Sequence, residues 1–96
     1  MIYISDSDKD CCGSGRFTFA LFDAMYSKLV KNFDSEQMQD FRNGVDFHKA
    51  IWLDELNQND FNLFAKIVSY VKLDKVWQDE HLTLIEYLKA DPRYQE

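Results

Sequence analysis

Residues 16–33, RFTFALFDAMYSKLVKNF, decide how the rest of the chain is read. Within them Phe19, Phe22, Met25, Tyr26, Leu29 and Phe33 recur at spacings of three and four, which is the mark of one apolar face on a helix. This pattern predicts a first helix running to about residue 32. Working outward, Asp34-Ser35-Glu36-Gln37 reads as a capping box, with Asp34 accepting an amide of the first turn and Gln37 reaching back. A second helix is expected after it, carrying Met38, Phe41, Val45, His48 and Trp52 on one stripe, broadened by Ile51, Leu53 and Leu56. Asn43-Gly44 falls inside that stripe and weakens it by about 1 kcal/mol relative to Ala, so the pattern admits a kink or break there.

Asn57-Gln58-Asn59-Asp60 marks the next boundary. The third helix is expected to carry Phe61, Phe64, Ile67, Val68 and Val71, with Leu63 and Tyr70 on its flank; as the most apolar segment it should be central. A last helix from about residue 79 holds Leu82, Ile85 and Leu88 with Leu84 beside them, and ends near residue 90 because Pro92 disfavours a helical neighbour before it. Toward the N-terminus, Ile2, Tyr3 and Ile4 are β-prone but too few for a sheet of their own, and residues 6–15 (DSDKDCCGSG) read as a polar, turn-rich loop. The expected architecture is all-α: an antiparallel bundle of four or five helices in one domain spanning 1–96, with an extended start and polar loop over 1–15 and a helical core over 16–91.

A chain of 96 residues has room for one core, and its eight Phe, five Tyr and two Trp supply ample apolar area to offset chain entropy. Its two cysteines, Cys11 and Cys12, are neighbours and poorly placed for a disulfide with each other. The start, Met1-Ile2-Tyr3-Ile4-Ser5-Asp6, lacks the basic region and apolar run of a secretion signal, and no apolar stretch approaches the ~20 residues of a membrane span. These features place the protein in the cytoplasm with no membrane partner.

The distribution of charge says more than its net value of −6. Residues 1–33 balance four acids with four bases. Residues 34–60 set seven acids (Asp34, Glu36, Asp40, Asp46, Asp54, Glu55, Asp60) against Arg42 and Lys49, leaving −5, and the remainder carries −1. Nearly all the excess therefore lies in one central segment. That disfavours nucleic acid as a partner and favours a cationic protein surface.

Residues suggestive of chemistry do not assemble into a site. Asp6-x-Asp8-x-Asp10 opens like a calcium-binding EF-hand loop, but the required Gly falls on Cys11 and the bidentate Glu on Phe17. Cys11, Cys12, His48 and His81 are four soft ligands in number, yet vicinal cysteines do not have the C-x-x-C spacing that lets two thiolates grip one zinc ion. Gly13-Ser14-Gly15 lacks the Lys and the spacing of a phosphate-binding loop. His48 reads as a border residue on an apolar stripe, and His81 follows the acids Asp79 and Glu80. No catalytic residue, cofactor or metal is therefore expected.

What remains is the acidic segment. Carboxylates alternating with Phe47 and Trp52 can either be a solvated helix face or ring an apolar anchor with charge, the mixture found at tight interfaces. Trp77 and Tyr94 lie outside the clean stripes and are candidate anchors as well. In size, acidity, helical pattern and missing chemistry the chain resembles bacterial immunity proteins, the small inhibitors that protect a cell from its own nuclease toxins. Residues 57–64 lack the Asp-Ser-Asp and Tyr-Tyr-Pro signature of the nuclease-colicin branch. The resemblance is therefore to the divergent immunity proteins of contact-dependent growth inhibition and related polymorphic toxin systems. It implies an inhibitor of a basic RNase or DNase domain, with Asp40, Asp46, Trp52, Asp54, Glu55 and Asp60 as the expected contact residues. Two other classes fit the same residues: a nucleic-acid mimic of the anti-restriction or anti-CRISPR type, and a small enzyme using Cys11, Cys12 or His48.

Overall fold

The structure is a computed structural model that describes residues 2–4, 10–11 and 15–95, with residues 10–11 described by their backbone. Four helices make the all-α fold: α1 (Gly15–Asn32), α2 (Ser35–Asn43), α3 (Gln58–Tyr70) and α4 (Gln78–Ala90). Three two-residue strands accompany them, β1 (Ile2–Tyr3), β2 (Asp10–Cys11) and β3 (Ile51–Trp52). β1 lies in the middle of a small mixed sheet, antiparallel to β2 and parallel to β3. The tripeptide that is too short for a sheet of its own thus recruits two partners from elsewhere in the chain. Asp10 and Cys11, expected inside a loop, have strand backbone instead. Of the aspartate triplet read against a calcium loop, Asp6 and Asp8 lie outside the described residues, as do Cys12, Gly13 and Ser14.

Local chemistry sets the helix boundaries. The Asp34 carboxylate accepts the Gln37 amide at 2.8 Å and starts α2, and the Asn57 side chain accepts the Asp60 amide at 2.8 Å and starts α3. Each of these bonds satisfies an amide that the first helical turn leaves without a carbonyl. A short 3-10 turn over Lys75–Trp77, opened by Asp74, leads into α4, which stops two residues before Pro92.

Two helices bury most of the expected face, Phe22, Met25, Leu29 and Phe33 at the first and Leu84 and Leu88 in the last, and depart from it at its edges. In α1 the buried set is Phe17, Thr18, Leu21, Phe22, Met25 and Leu29, while Phe19 and Tyr26 are exposed. In α4 the buried pair is Leu84 and Leu88, with Ile85 packed beside the core and Leu82 exposed. Both helices are apolar on more than one side, so spacing alone leaves the edges of the buried stripe undecided and packing against the rest of the core sets them. The third helix buries Phe61, Phe64, Ile67 and Val68, as its pattern predicts, with Val71 buried just past its end. Phe64 and Phe33 both meet Phe41, with ring centroids 5.6 and 5.5 Å apart, linking α1, α2 and α3 through one aromatic row.

The second helix is the main departure. It does not continue to Leu56; after Asn43 the backbone widens into a π turn over Gly44–His48, and Lys49 takes the left-handed conformation (φ 52°). The Lys49 and Ala50 amides bond back to Val45 and Gly44 carbonyls, ending the helix, and the chain reverses into β3. Gly44 makes this reversal possible. A Cβ there would lie 2.6 Å from the Ala50 carbonyl oxygen and 3.0 Å from the Trp52 ring. Met38, Phe41 and Val45 are buried as expected, whereas His48 and Trp52 are exposed, because the helical register that would have aligned them ends at residue 48.

Candidate functional site

Reversal of the chain at Lys49 brings the acidic segment back on itself. α2 forms one wall; the turn following β3 and the start of α3 form the other. Between them lies an open groove of about 570 Å³ lined by Gln37, Asp40, Phe41, Trp52, Asp54, Glu55 and Leu56. A second groove of about 440 Å³ adjoins it through the shared Gln37 and Asp40, and is lined also by Asn32, Phe33, Asp34, Glu36 and Asp60. Six carboxylates, those of Asp34, Glu36, Asp40, Asp54, Glu55 and Asp60, therefore border one continuous depression.

Three of the six have local reasons to be where they are. Asp34 caps α2, while Glu36 and Asp60 sit in first turns, where the helix dipole favours a negative charge. Asp40 lies in the second half of α2 and gains nothing from its N-terminus; Asp54 and Glu55 are on a turn. None of these six is in an ion pair: among the described residues the one ion pair joins Arg93 to Asp91. The two bases of the segment are engaged elsewhere. Arg42 lies over the Tyr26 ring at 5.3 Å, on the other side of α2, and the Lys49 stem covers Gly15 at the start of α1. The negative charge that the sequence concentrates in residues 34–60 is thus concentrated in space as well.

Trp52 supplies the apolar element of the groove. Its ring stacks on Tyr3, with centroids 5.5 Å apart and planes 7° from parallel, and meets His48 edge-on at 5.3 Å. It nevertheless keeps 41% of its surface exposed. A large aromatic held from two sides and open on another loses little freedom when something docks on it.

Of the six expected contact residues, Asp40, Trp52, Asp54 and Glu55 line the first groove and Asp60 the second. Asp46 stands apart, exposed on the π turn beside Phe47, and lines neither groove. Gln37, Phe41 and Leu56 also line the floor and walls. Sequence reasoning assigned Phe41 and Leu56 to the core and Gln37 to a cap, and had no signal for their second role. The other proposed anchors turn inward: Trp77 meets Phe17 with centroids 6.0 Å apart, and Tyr94 packs against the core.

Of the residues weighed for catalysis, the two histidines each have a local partner. His81 Nε2 is 2.7 Å from the Val68 carbonyl oxygen, between α3 and α4, and His48 is held against Trp52. No group of three His, Cys, Asp or Glu side chains among the described residues is arranged to hold a metal ion, and no helix among them is long and apolar enough to cross a membrane. In the comparisons with known proteins, no family model, curated protein or solved structure matches this chain.

Proposed function

We propose that this protein binds a cationic protein through the acidic groove between α2 and the turn after β3, and that it serves as the immunity protein of a basic toxin domain, a nuclease, in the cytoplasm of the producing cell. The observation that carries the reading is the convergence of Asp40, Asp54 and Glu55 on an exposed Trp52, with no counter-ion at any of the three carboxylates among the described residues. Carboxylates crowded in this way repel one another in the free protein, and a partner rich in Lys and Arg relieves that repulsion as it docks. Opposite charge accelerates the encounter, and burial of the aromatic slows escape. The protein performs no reaction itself; it neutralises the toxin by covering the surface on which a phosphate backbone would lie.

The test is stopped-flow association with a basic nuclease toxin domain, sought first in the neighbouring gene, together with that domain's cleavage activity at equimolar inhibitor. Reversing Asp54 and Glu55 to Lys is expected to slow association by about tenfold at low salt, with the difference shrinking as ionic strength rises. An association rate indifferent to the double reversal removes the proposal. Equal capture of many unrelated DNA-binding proteins, each displaced by added duplex, would instead favour a nucleic-acid mimic.

A further inference from the structure

The turn that presents Asp54 and Glu55 is held from beneath by a residue far away in sequence. Leu53 and Leu56 are its ends, closed by the Leu56 amide donating to the Leu53 carbonyl at 3.2 Å, so that the two acids occupy its central positions. Arg93 Nη1 donates to both end carbonyls, Leu53 at 2.7 Å and Leu56 at 2.9 Å. Arg93 Nη2 donates to the Ile4 carbonyl at 2.6 Å and to Asp91 Oδ2 at 3.0 Å, and Nε donates to Asp91 Oδ1 at 2.9 Å. A guanidinium has five N–H groups, and these five acceptors use them all. Its plane also lies over the Phe61 ring, 4.1 Å from the centroid, which fixes its tilt.

We propose that Arg93 is a positioning residue for the acidic groove: from the C-terminal segment it fixes the turn so that Asp54 and Glu55 are already placed before a cationic partner arrives. The inference rests on reading that groove as the binding face. Two adjacent carboxylates of like charge occupy the tip of a turn that borders the same groove as Asp40, and one closing hydrogen bond of 3.2 Å is a weak restraint on such a turn. Arg93 adds two charge-assisted bonds to the turn's own carbonyls through Nη1, while Nη2 and Nε hold the guanidinium to Ile4, just after β1, and to Asp91. Its hydrogen bonds go to backbone carbonyls and to Asp91 and to none of the groove carboxylates, and its charge is matched by a carboxylate whose side chain is only 5% exposed. Its effect on the acids is therefore geometric. The segment that carries it is anchored in turn by Asn62, whose Nδ2 donates to the Arg93 carbonyl at 2.6 Å and whose Oδ1 accepts the Gln95 amide at 2.6 Å. A turn held in place before binding gives up less entropy on binding, and that advantage is read in how long a complex lasts.

The substitution Arg93→Lys tests this, because it preserves net charge and so leaves long-range attraction unaltered, while an ammonium has three donors and no planar fork. Two measurements are made on the full chain: amide hydrogen exchange residue by residue, and binding of an oligoarginine peptide at low salt. The expected result is that the Glu55 and Leu56 amides exchange about tenfold faster relative to the Phe64 and Leu21 amides, which follow global opening. The peptide is expected to associate at an unchanged rate and to dissociate several-fold faster. Turn amides that keep their ratio to the core amides, or a loosened turn with unchanged dissociation, would overturn the positioning role. If the wild-type protein does not hold the peptide at all, the groove loses its assignment as a cation-binding face, and the exchange ratio alone still decides whether Arg93 fixes the turn. Should Arg93→Lys fail to fold, Asp91→Asn is read by exchange in the same way, with a smaller increase at the same two amides expected and no increase overturning the idea.

Discussion

The two grooves that flank α2 share a helix and have opposite characters. On one side, Tyr26, Val30, Phe33 and Met38 line a depression whose charged residue, Arg42, lies over the Tyr26 ring. On the other, Asp40, Asp54 and Glu55 surround Trp52 with no cation among the described residues close enough to pair with any of the three. On the first side the guanidinium already has an aromatic face to occupy. On the second side the charges are left for something outside the molecule, and this asymmetry is the reason to place function there. The acidic side also contains two kinds of carboxylate. Asp34 serves the fold by capping a helix, while Asp40 serves nothing visible within it.

The sharpest way to break this contrast is to prevent the chain from turning back onto α2. Gly44→Ala forces a Cβ to within 2.6 Å of a backbone carbonyl and against the Trp52 ring, where neither neighbour is a flexible end. A loss of about 2 kcal/mol is expected, seen as a thermal midpoint lowered by about 10 °C. Trp52 fluorescence should shift as the ring leaves Tyr3, and Trp77→Phe removes the background from the other indole. A midpoint unchanged by Gly44→Ala would mean that the reversal at Lys49 is looser than described.

The two kinds of carboxylate separate next. Asp34→Ala removes the acceptor of the Gln37 amide and is expected to cost about 1 kcal/mol in denaturant unfolding, irrespective of salt. Asp40→Asn should do the reverse on a smaller scale. Relieving one repulsive charge is expected to raise the thermal midpoint by no more than about 2 °C at low salt, and by nothing at high salt, where the repulsion is screened. A destabilising Asp40→Asn would show that this carboxylate has a structural partner and would weaken its assignment to binding.

Much of the fold was legible from single residues with strong local preferences. Asp34, Asn57 and Pro92 mark boundaries because a side-chain acceptor or a missing amide acts within one turn of chain. The third helix was read correctly because its outer face carries Asn59, Asn62 and Lys66, which leave one apolar stripe. In the first helix Phe22, Met25, Leu29 and Phe33 are buried as their spacing predicts, but the edges of the stripe differ, with Phe17 and Leu21 buried and Phe19 and Tyr26 exposed, because aromatic area is distributed around much of its circumference. Only packing against the rest of the core could set those edges. The second helix was legible in part: Asn43-Gly44 marks the place where it changes, but His48 and Trp52 satisfy helical spacing beyond it, and the close approach of Ala50 and Trp52 to Gly44 that sets the reversal joins residues the period cannot relate. The site followed the same division. Its acids were visible as a charge imbalance, and Asp46 was grouped with them because sequence proximity does not say which side of a turn a residue stands on.

By itself, the sequence determined that the protein is helical, where most of its helix boundaries fall, and that its negative charge is concentrated in residues 34–60, since each of these depends on side chains acting on their immediate chain neighbours. The tertiary structure alone decided that the chain reverses into β3 after the weak point at Gly44, that Asp40 faces Asp54 and Glu55 across a groove, and that Arg93 holds the turn beneath them. Those outcomes depend on contacts between residues as far apart as 4 and 93, and the geometry of such contacts exists only once the core has closed.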